Sequence, residues 1–173
     1  FNIPQNRINS DLIGNFSNFI NRTLSFAWKN FNGKINGKID KKFYKETISK
    51  TKEIIDLYER VELKETLEKI LKLSDFGNKY FQEREPWKKK DKNVIFNCAN
   101  LCKSLALLIN PFLPDTSSEI LKLLNCKEKD WKKLTEFNIK KINKPKILFE
   151  KLTDEQVNEI KEKTTQITKF KIK

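Results

Sequence analysis

Two polar residues near the start of the chain are spaced to act together on a flat, hydrogen-bonding ligand. Asn18 and Arg22 are four residues apart, so in a helix they lie side by side on one face. When Phe16 is set at the centre of the apolar face, both residues point away from the core. An amide and a guanidinium on that face can donate and accept along the edge of an unpaired nucleobase. The alternative is an ordinary solvated polar face, and the spacing alone leaves it open.

A second candidate site is a tryptophan that follows a proline. Pro86 lacks an amide donor and restricts the residue before it, so it ends the preceding helix and lets Trp87 present its indole. A base stacked on an aromatic ring gains about 1 to 3 kcal/mol. The next residues, Lys88, Lys89 and Lys90, can contact phosphates, which add salt-dependent affinity without reading sequence. The alternative is that Trp87 packs under the turn between two helices while the lysines are solvated.

The sequence contains no recognisable catalytic centre. It has no histidine and four glycines, so it holds neither a Ser-His nor a Cys-His pair and no Gly-rich phosphate loop. Three cysteines form no CxxC pair, and Cys98 and Cys102 fall on an apolar helical stripe, which predicts core residues. We therefore expect a binding domain without catalytic residues, a metal site or a cofactor of its own.

The charge of the chain favours a polyanionic partner. Lys and Arg total 36 against 23 acidic residues, a formal net charge of +13, as is typical of nucleic-acid-binding domains. A lysine-rich proteome with A+T-rich coding is an alternative source of this excess. No apolar run is long enough to span a membrane and no leader opens the chain, so we expect a cytoplasmic protein without a membrane partner. The chain starts at Phe1 and contains no methionine, which suggests a fragment or a processed product.

The elements that position these residues are predicted to be helices. Apolar residues recur at three- and four-residue steps, with short polar breaks and no comparable strand pattern. This pattern favours an all-α helix bundle. The predicted helices run from Ser10 to about Asn30, from a cap at Asp40 to about Tyr58, from near Glu62 to the Pro86 stop, from about Asp91 to before Pro111, and from a cap at Asp115 or Thr116 to about Leu124.

The last part of the chain is predicted to differ from the bundle, which we assign to residues 1–135. Between Thr135 and Glu150 the sequence has no clean helical period and contains Pro145, which indicates an extended segment across the bundle surface. Thr153-Asp154-Glu155-Gln156 has the layout of a capping box for a final helix. Residues 136–173 are thus predicted to form an extended segment and a C-terminal helix that packs back on the bundle.

Four segments, taken in order, resemble a known domain. The stretch from Asn9 to Arg22, NSDLIGNFSNFINR, is similar to the opening helix of the anticodon-binding domain of methionyl-tRNA synthetases. The stretch from Phe76 to Trp87, FGNKYFQEREPW, resembles its second signature in the form typical of archaeal and eukaryotic enzymes. Two weaker matches follow, INPFLP at 109–114 and LFEKL at 148–152. Because their order is preserved across nearly the whole chain, the sequence is identified as a member of that family.

The resemblance implies a helix bundle of the class I aminoacyl-tRNA synthetase anticodon-binding type that reads the CAU anticodon of methionine tRNA. By position, Asn18 and Arg22 match residues that contact the edge of the first anticodon base. Trp87 matches the residue that stacks with that base, and Pro86 matches the one that shapes the turn beneath. The implied partners are the anticodon stem-loop and the catalytic domain of the same enzyme, toward which the final helix is expected to run.

The resemblance also limits what this chain does alone. The His-Ile-Gly-His-like and Lys-Met-Ser-Lys-Ser-like motifs of the family's catalytic domain are missing from the sequence. ATP and zinc are therefore implied only for that catalytic part, and the chain is expected to be inactive by itself. Two rival functions remain: the anticodon domain of another class I synthetase, which would prefer another stem-loop, and a helical protein-interaction module, which would show no stem-loop preference.

Overall fold

Six α-helices form a bundle in the part of the chain that the computed structural model describes, residues 10–145 and residue 162. Within it no strand is present, and one antiparallel bridge joins Lys34 to Lys141. The predicted all-α bundle is confirmed. Among the described helices, none combines the length and the apolar character that a membrane span requires. The helices are α1 (Asn18–Phe31), α2 (Lys41–Glu59), α3 (Leu63–Arg84), α4 (Pro86–Lys89), α5 (Lys92–Ile109) and α6 (Pro114–Leu123), with a π-helical stretch at Ser10–Ser17 and a 3-10 turn at Trp131–Lys133.

Helix α5 is the centre of the bundle. Every residue from Val94 to Ile109 is buried, because α1, α3 and α6 all pack against this helix. Cys98 and Cys102 are fully buried in the core, which confirms their predicted role, and burial raises the pKa of both thiols. Removal of this apolar surface from water is the main force that holds the helices together.

Polar side chains on α5 bind the extended segment that follows α6. The Asn100 amide donates to the Ile139 carbonyl at 3.2 Å, and its oxygen accepts from the Ile139 amide at 2.8 Å. The Ser104 hydroxyl donates to the Leu134 carbonyl at 2.7 Å. Buried backbone N–H and C=O groups need hydrogen-bond partners. In this segment the side chains of α5 provide those partners, as a neighbouring strand would in a sheet. In the described part of this segment, residues 136–145 contain no helix.

A lysine completes this attachment from inside the bundle. The Lys103 side chain is fully buried, and its ammonium donates to the Glu136 carbonyl and to Oδ1 of Asn138, the latter at 2.9 Å. Burial lowers the pKa of Lys103. A buried ammonium is tolerated when its donors are satisfied by hydrogen bonds, so Lys103 ties the extended segment to α5.

Asp40 begins α2, as predicted, and connects it to α3. Its Oδ1 accepts from the amides of Lys42 and Phe43 at 3.0 and 3.1 Å, which is a normal N-cap arrangement. Its Oδ2 accepts from Arg84 at 2.6 Å and from the Tyr80 hydroxyl at 3.2 Å. Burial acts to raise the pKa of Asp40, but these hydrogen bonds and the Arg84 charge outweigh it and leave the pKa below its ordinary value.

Gly77 allows α1, α3 and α5 to approach one another closely. A Cβ at this position would lie 2.5 Å from Cζ of Phe19 and 2.8 Å from Cδ2 of Leu101. Glycine within a helix costs about 1 kcal/mol relative to alanine. The close packing of two neighbouring helices explains why this cost is accepted in α3.

The N-terminal helix differs from its prediction, because its first part is π-helical rather than α-helical. The Asn78 side-chain amide donates to the Asn15 carbonyl at 2.8 Å, so that carbonyl has a partner on α3. A side chain that inserts into the hydrogen-bond ladder is a recognised cause of local helix distortion. Regular α-helix then begins at Asn18.

The start of α6 also differs from its prediction. The helix begins at Pro114, before the predicted caps Asp115 and Thr116, because proline is favoured at the first helical position. The predicted final helix at residues 153–173 and the 148–152 match lie outside the described residues, apart from the helical Glu162. The boundary at residue 135 stays a prediction.

Candidate nucleic-acid interface

The outer wall of α1 carries the predicted amide and guanidinium. Asn18, the first residue of α1, is exposed as predicted. Arg22 is half-buried instead, because its guanidinium carbon lies 4.1 Å from the centre of the Phe81 ring and Nη2 donates to Oε1 of Gln82 at 3.3 Å. Burial lowers the pKa of Arg22, but a guanidinium stays charged in proteins. Arg22 therefore lies against α3 as a fixed cation rather than extending freely into solvent.

Trp87 lies on α4, directly after the buried Pro86. Its side chain is 41% exposed. The covered part faces Phe81, with ring centroids 6.1 Å apart and planes inclined by 28°. The rest of the indole is exposed to solvent and can receive a stacking partner.

Phe81 brings the two candidate sites together. Its ring is 3% exposed and contacts both Arg22 and Trp87, so the guanidinium carbon and the indole centroid are at most about 10 Å apart. Phe26 packs edge-on against the same ring at 6.0 Å. The sequence pattern does not reveal this connection. Trp87 lies six positions after Phe81, and a helix break separates them, so no helical period relates the two residues.

The three lysines after Trp87 are exposed, as a phosphate contact requires. The ammonium of Lys88 pairs with Oε2 of Glu85 at 2.7 Å. Lys89 and Lys90 form no ion pair within residues 10–145. Exposed ion pairs such as this one contribute little stability. All three ammonium groups can therefore bind an anion beside the indole.

Strained backbone brackets the short helix α4. Glu85 and Lys90 both adopt left-handed conformations, with φ of 44° and 48°, at a cost of about 1 to 2 kcal/mol each for a non-glycine residue. Pro86 adds a further restriction on Glu85. The sequence predicted a turn rather than a helix here. Proline at the first helical position favours this single turn, and strain of this kind concentrates at ligand sites.

A comparison with protein families decides what kind of domain carries this surface. A family model described as the anticodon binding domain of methionyl tRNA ligase matches residues 31–169. The chain belongs to this family. Its membership confirms the predicted family and separates this anticodon-binding domain from those of other class I synthetases. The matched range includes Pro86 and Trp87, whereas Asn18 and Arg22 precede it.

Two curated relatives of this chain are both named methionine–tRNA ligase. The methionine–tRNA ligase of Borrelia garinii subsp. bavariensis is 40% identical over 164 residues, which cover 90% of this chain and 23% of the relative. The methionine–tRNA ligase of Methanopyrus kandleri is 34% identical over 172 residues, which cover 91% of this chain and 25% of the relative. The chain therefore spans about a quarter of the length of these relatives.

Solved structures show the same fold. The free form of Mycobacterium tuberculosis methionyl-tRNA synthetase matches with a TM-score of 0.74 and 21% identity over 85% of this chain and 34% of that one. The same enzyme in complex with methionyl-adenylate matches with a TM-score of 0.69 and 21% identity over 83% of this chain and 32% of that one. At this level of identity, the likeness concerns the arrangement of helices in the anticodon-binding domain.

Proposed function

We propose that this anticodon-binding domain binds the anticodon stem-loop of methionine tRNA and reads the CAU anticodon, chiefly through its first base, a cytosine. The observation that carries the proposal is the shared support of Arg22 and Trp87 by the Phe81 ring. A cation and an open aromatic surface are thereby held within the dimensions of one nucleotide. Asn18 adds an exposed amide one turn from Arg22 on the same helix face.

The chemistry of these groups suits cytosine. Its pairing edge presents an amino donor next to two acceptors, whereas uracil presents a carbonyl and an N–H donor there. A guanidinium has five N–H donors, and Arg22 uses one on Gln82, so others remain for the acceptors. The Asn18 amide can both accept and donate. Unpaired bases of an RNA loop are usually recognised in this way.

Trp87 and the lysines supply affinity to this proposed site. The open part of the indole gives the base a stacking surface, worth about 1 to 3 kcal/mol. Lys88, Lys89 and Lys90 would contact phosphates on either side of that base, which positions the RNA without reading its sequence. Recognition thus divides between base-specific groups on α1 and sequence-independent groups on α4.

We also propose that the domain contributes recognition and no bond-making chemistry to a cytoplasmic methionine–tRNA ligase. Methionine activation would take place in the catalytic domain of the same enzyme, its second partner. In support, the sequence has no histidine and the candidate interface consists of an amide, cations and an indole. ATP and zinc would bind the catalytic part alone.

Fluorescence anisotropy with two labelled stem-loops tests the proposal, one with CAU and one with uracil as the first anticodon base. The wild-type protein should bind CAU more tightly, because the Asn18 and Arg22 groups pair poorly with uracil. Trp87→Ala should weaken CAU binding by about 1 to 3 kcal/mol. Lys89→Ala should weaken both stem-loops alike and reduce the slope of log affinity against log salt by about 0.7 to 0.9.

Val61→Ala is a matched control for the indole variant. Val61 is similarly exposed, at 42%, and lies before α3, about 33 Å along that helix from its other end at Arg84. This variant should bind as the wild type does. Equal wild-type affinity for the two stem-loops would contradict base reading. Absence of any stem-loop preference, combined with capture of a protein partner, would favour the interaction-module alternative.

A further inference from the structure

Two lysine-bearing extended stretches are paired at the far end of α1. The Ile35 amide donates to the Lys140 carbonyl at 2.8 Å, and the Ile142 amide donates to the Gly33 carbonyl at 2.9 Å. Between these bonds Lys34 and Lys141 form the antiparallel bridge. Residues opposite each other between flanking bonds are the closer type of cross-strand pair, with both side chains on one face. The bridge therefore places the two lysine side chains next to each other where they leave the backbone.

This pair of like charges has no neutralising group in the described part of the chain. Lys34 and Lys141 are both exposed, and neither forms an ion pair there. Like charges directly opposite each other are destabilising in a strand pair. Lys38 and Lys140, which are exposed nearby in the same stretches, add to the positive charge.

The backbone beneath the two lysines is held firmly. A Cβ on Gly33 would lie 2.7 Å from the Ile142 carbonyl oxygen and 3.0 Å from the Trp28 ring, so the two stretches meet in close contact. The Asn100 side chain on α5 fixes Ile139 through both its donor and its acceptor. The unfavourable charge pair is thus maintained by the fold, which is how a site for an anion would be preorganised.

The location of the pair relates it to the candidate interface. The Lys34 amide donates to the Phe31 carbonyl at 3.0 Å, and Phe31 ends α1. Phe31 lies nine positions after Arg22 in α1, or roughly 14 Å along the helix axis. Phe26 contacts both Phe31 and Phe81, at ring distances of 6.2 and 6.0 Å. The two charged lysines therefore lie at the end of an aromatic row that starts beneath Trp87.

We propose that Lys34 and Lys141 form a second RNA contact, which binds phosphates of the double-stranded stem and not bases of the loop. This inference rests on the proposed function, because it requires the loop to be held near Trp87. If the stem runs along α1 from that loop, its phosphates would reach the lysine pair. Two neighbouring ammonium groups on a rigid support suit such phosphates and add affinity without sequence preference.

The test compares Lys34→Gln/Lys141→Gln with the matched double variant Lys52→Gln/Lys72→Gln. Lys52 and Lys72 are exposed on α2 and α3, so both variants lose two charges. Each is titrated with the CAU stem-loop, its uracil counterpart and a single-stranded oligonucleotide of the loop sequence alone. Without RNA, the melting temperature of the first variant should not fall, because its substitutions remove repulsion.

The bridge variant should bind both stem-loops about five- to fiftyfold more weakly at 0.1 M salt, and the slope of log affinity against log salt should decrease by about 1.4 to 1.8. Its affinity for the loop oligonucleotide and its preference for CAU should stay at the wild-type values. Stem-loop binding no weaker than that of the control variant would overturn the inference, as would an equal loss with the loop oligonucleotide. Failure of the base-reading proposal would appear separately, as equal wild-type affinity for CAU and uracil.

Discussion

Replacement of Phe81 by leucine is the most direct perturbation of the candidate interface. The ring makes two aromatic contacts, with Phe26 and Trp87, and one contact with the Arg22 guanidinium. Aromatic pairs contribute about 0.5 to 1.5 kcal/mol each beyond their buried area, and a cation–π contact at a half-buried site contributes about 0.5 to 1 kcal/mol. The free energy of unfolding should therefore decrease by about 1.5 to 4 kcal/mol, and both supported groups should lose their fixed positions.

Three measurements check this prediction, with Phe112→Leu as the control. Phe112 is also 3% exposed, and it lies in the turn between α5 and α6. Urea unfolding should show a loss of stability in both variants. Acrylamide quenching of Trp87, in proteins where Trp28 and Trp131 are replaced by phenylalanine, should change only with Phe81→Leu. The preference for CAU over uracil should decrease only in that variant as well.

A folded Phe81→Leu protein that keeps the wild-type preference for CAU would refute the proposed role of Phe81. Phe81 would then be an ordinary core residue, and Arg22 and Trp87 would not depend on it for their positions. An equal loss of preference in Phe112→Leu would also refute it, since general destabilisation would then explain both results.

Three further predictions concern the fold. Gly77→Ala should lower the free energy of unfolding by about 1 to 3 kcal/mol, because its Cβ would lie 2.5 Å from Phe19; an unchanged urea midpoint would disprove the close packing. The lowered pKa of Asp40 stabilises the fold above pH of about 4, and this contribution is lost as the pH falls through that pKa. Urea titrations at several pH values should show that Asp40→Asn lacks this loss of stability in acid. If the wild type and the variant lose stability equally as the pH falls, Asp40 is not the source of the loss. Lys103→Met should accelerate amide hydrogen exchange at Ile139 far more than in α3, and unchanged exchange would show that the ammonium does not hold the segment.

The helical part of the fold could be predicted because its signals are local. The apolar periodicity of α1, α2, α3 and α5 is visible over many turns, and Asp40 and Asp91 cap α2 and α5 as their sequence positions suggest. The extended segment after α6 was predictable from its lack of period and from Pro145. Each of these features depends on residues that are close together in the chain.

Other features depend on contacts that the sequence does not display. The π-helical stretch accompanies the bond from Asn78 to the Asn15 carbonyl, and these residues are far apart in sequence. Lys103 would ordinarily be assigned to the surface, since lysine is rarely buried. Its burial follows from two acceptors, Glu136 and Asn138, that only the folded chain brings to it.

The candidate interface was predictable in its members but not in its assembly. Asn18 and Trp87 have the exposure expected from their positions. Arg22 does not, because the Phe81 ring draws the guanidinium against α3. Charge, spacing and proline placement thus indicate which side chains belong to a site, whereas the aromatic residue that joins them must be found in the packing.

The attachment of the extended segment to α5 has a consequence for chain length. Side chains of α5 bind the carbonyls of Leu134 and Glu136 and both the amide and the carbonyl of Ile139. Each of these residues of the segment therefore has a fixed partner on α5. An insertion between Leu134 and Ile139 would misalign every later contact, whereas one at Lys127, in the exposed loop after α6, would leave them all in register. Homologous domains should therefore vary in length in that loop and keep a constant count of residues along the segment.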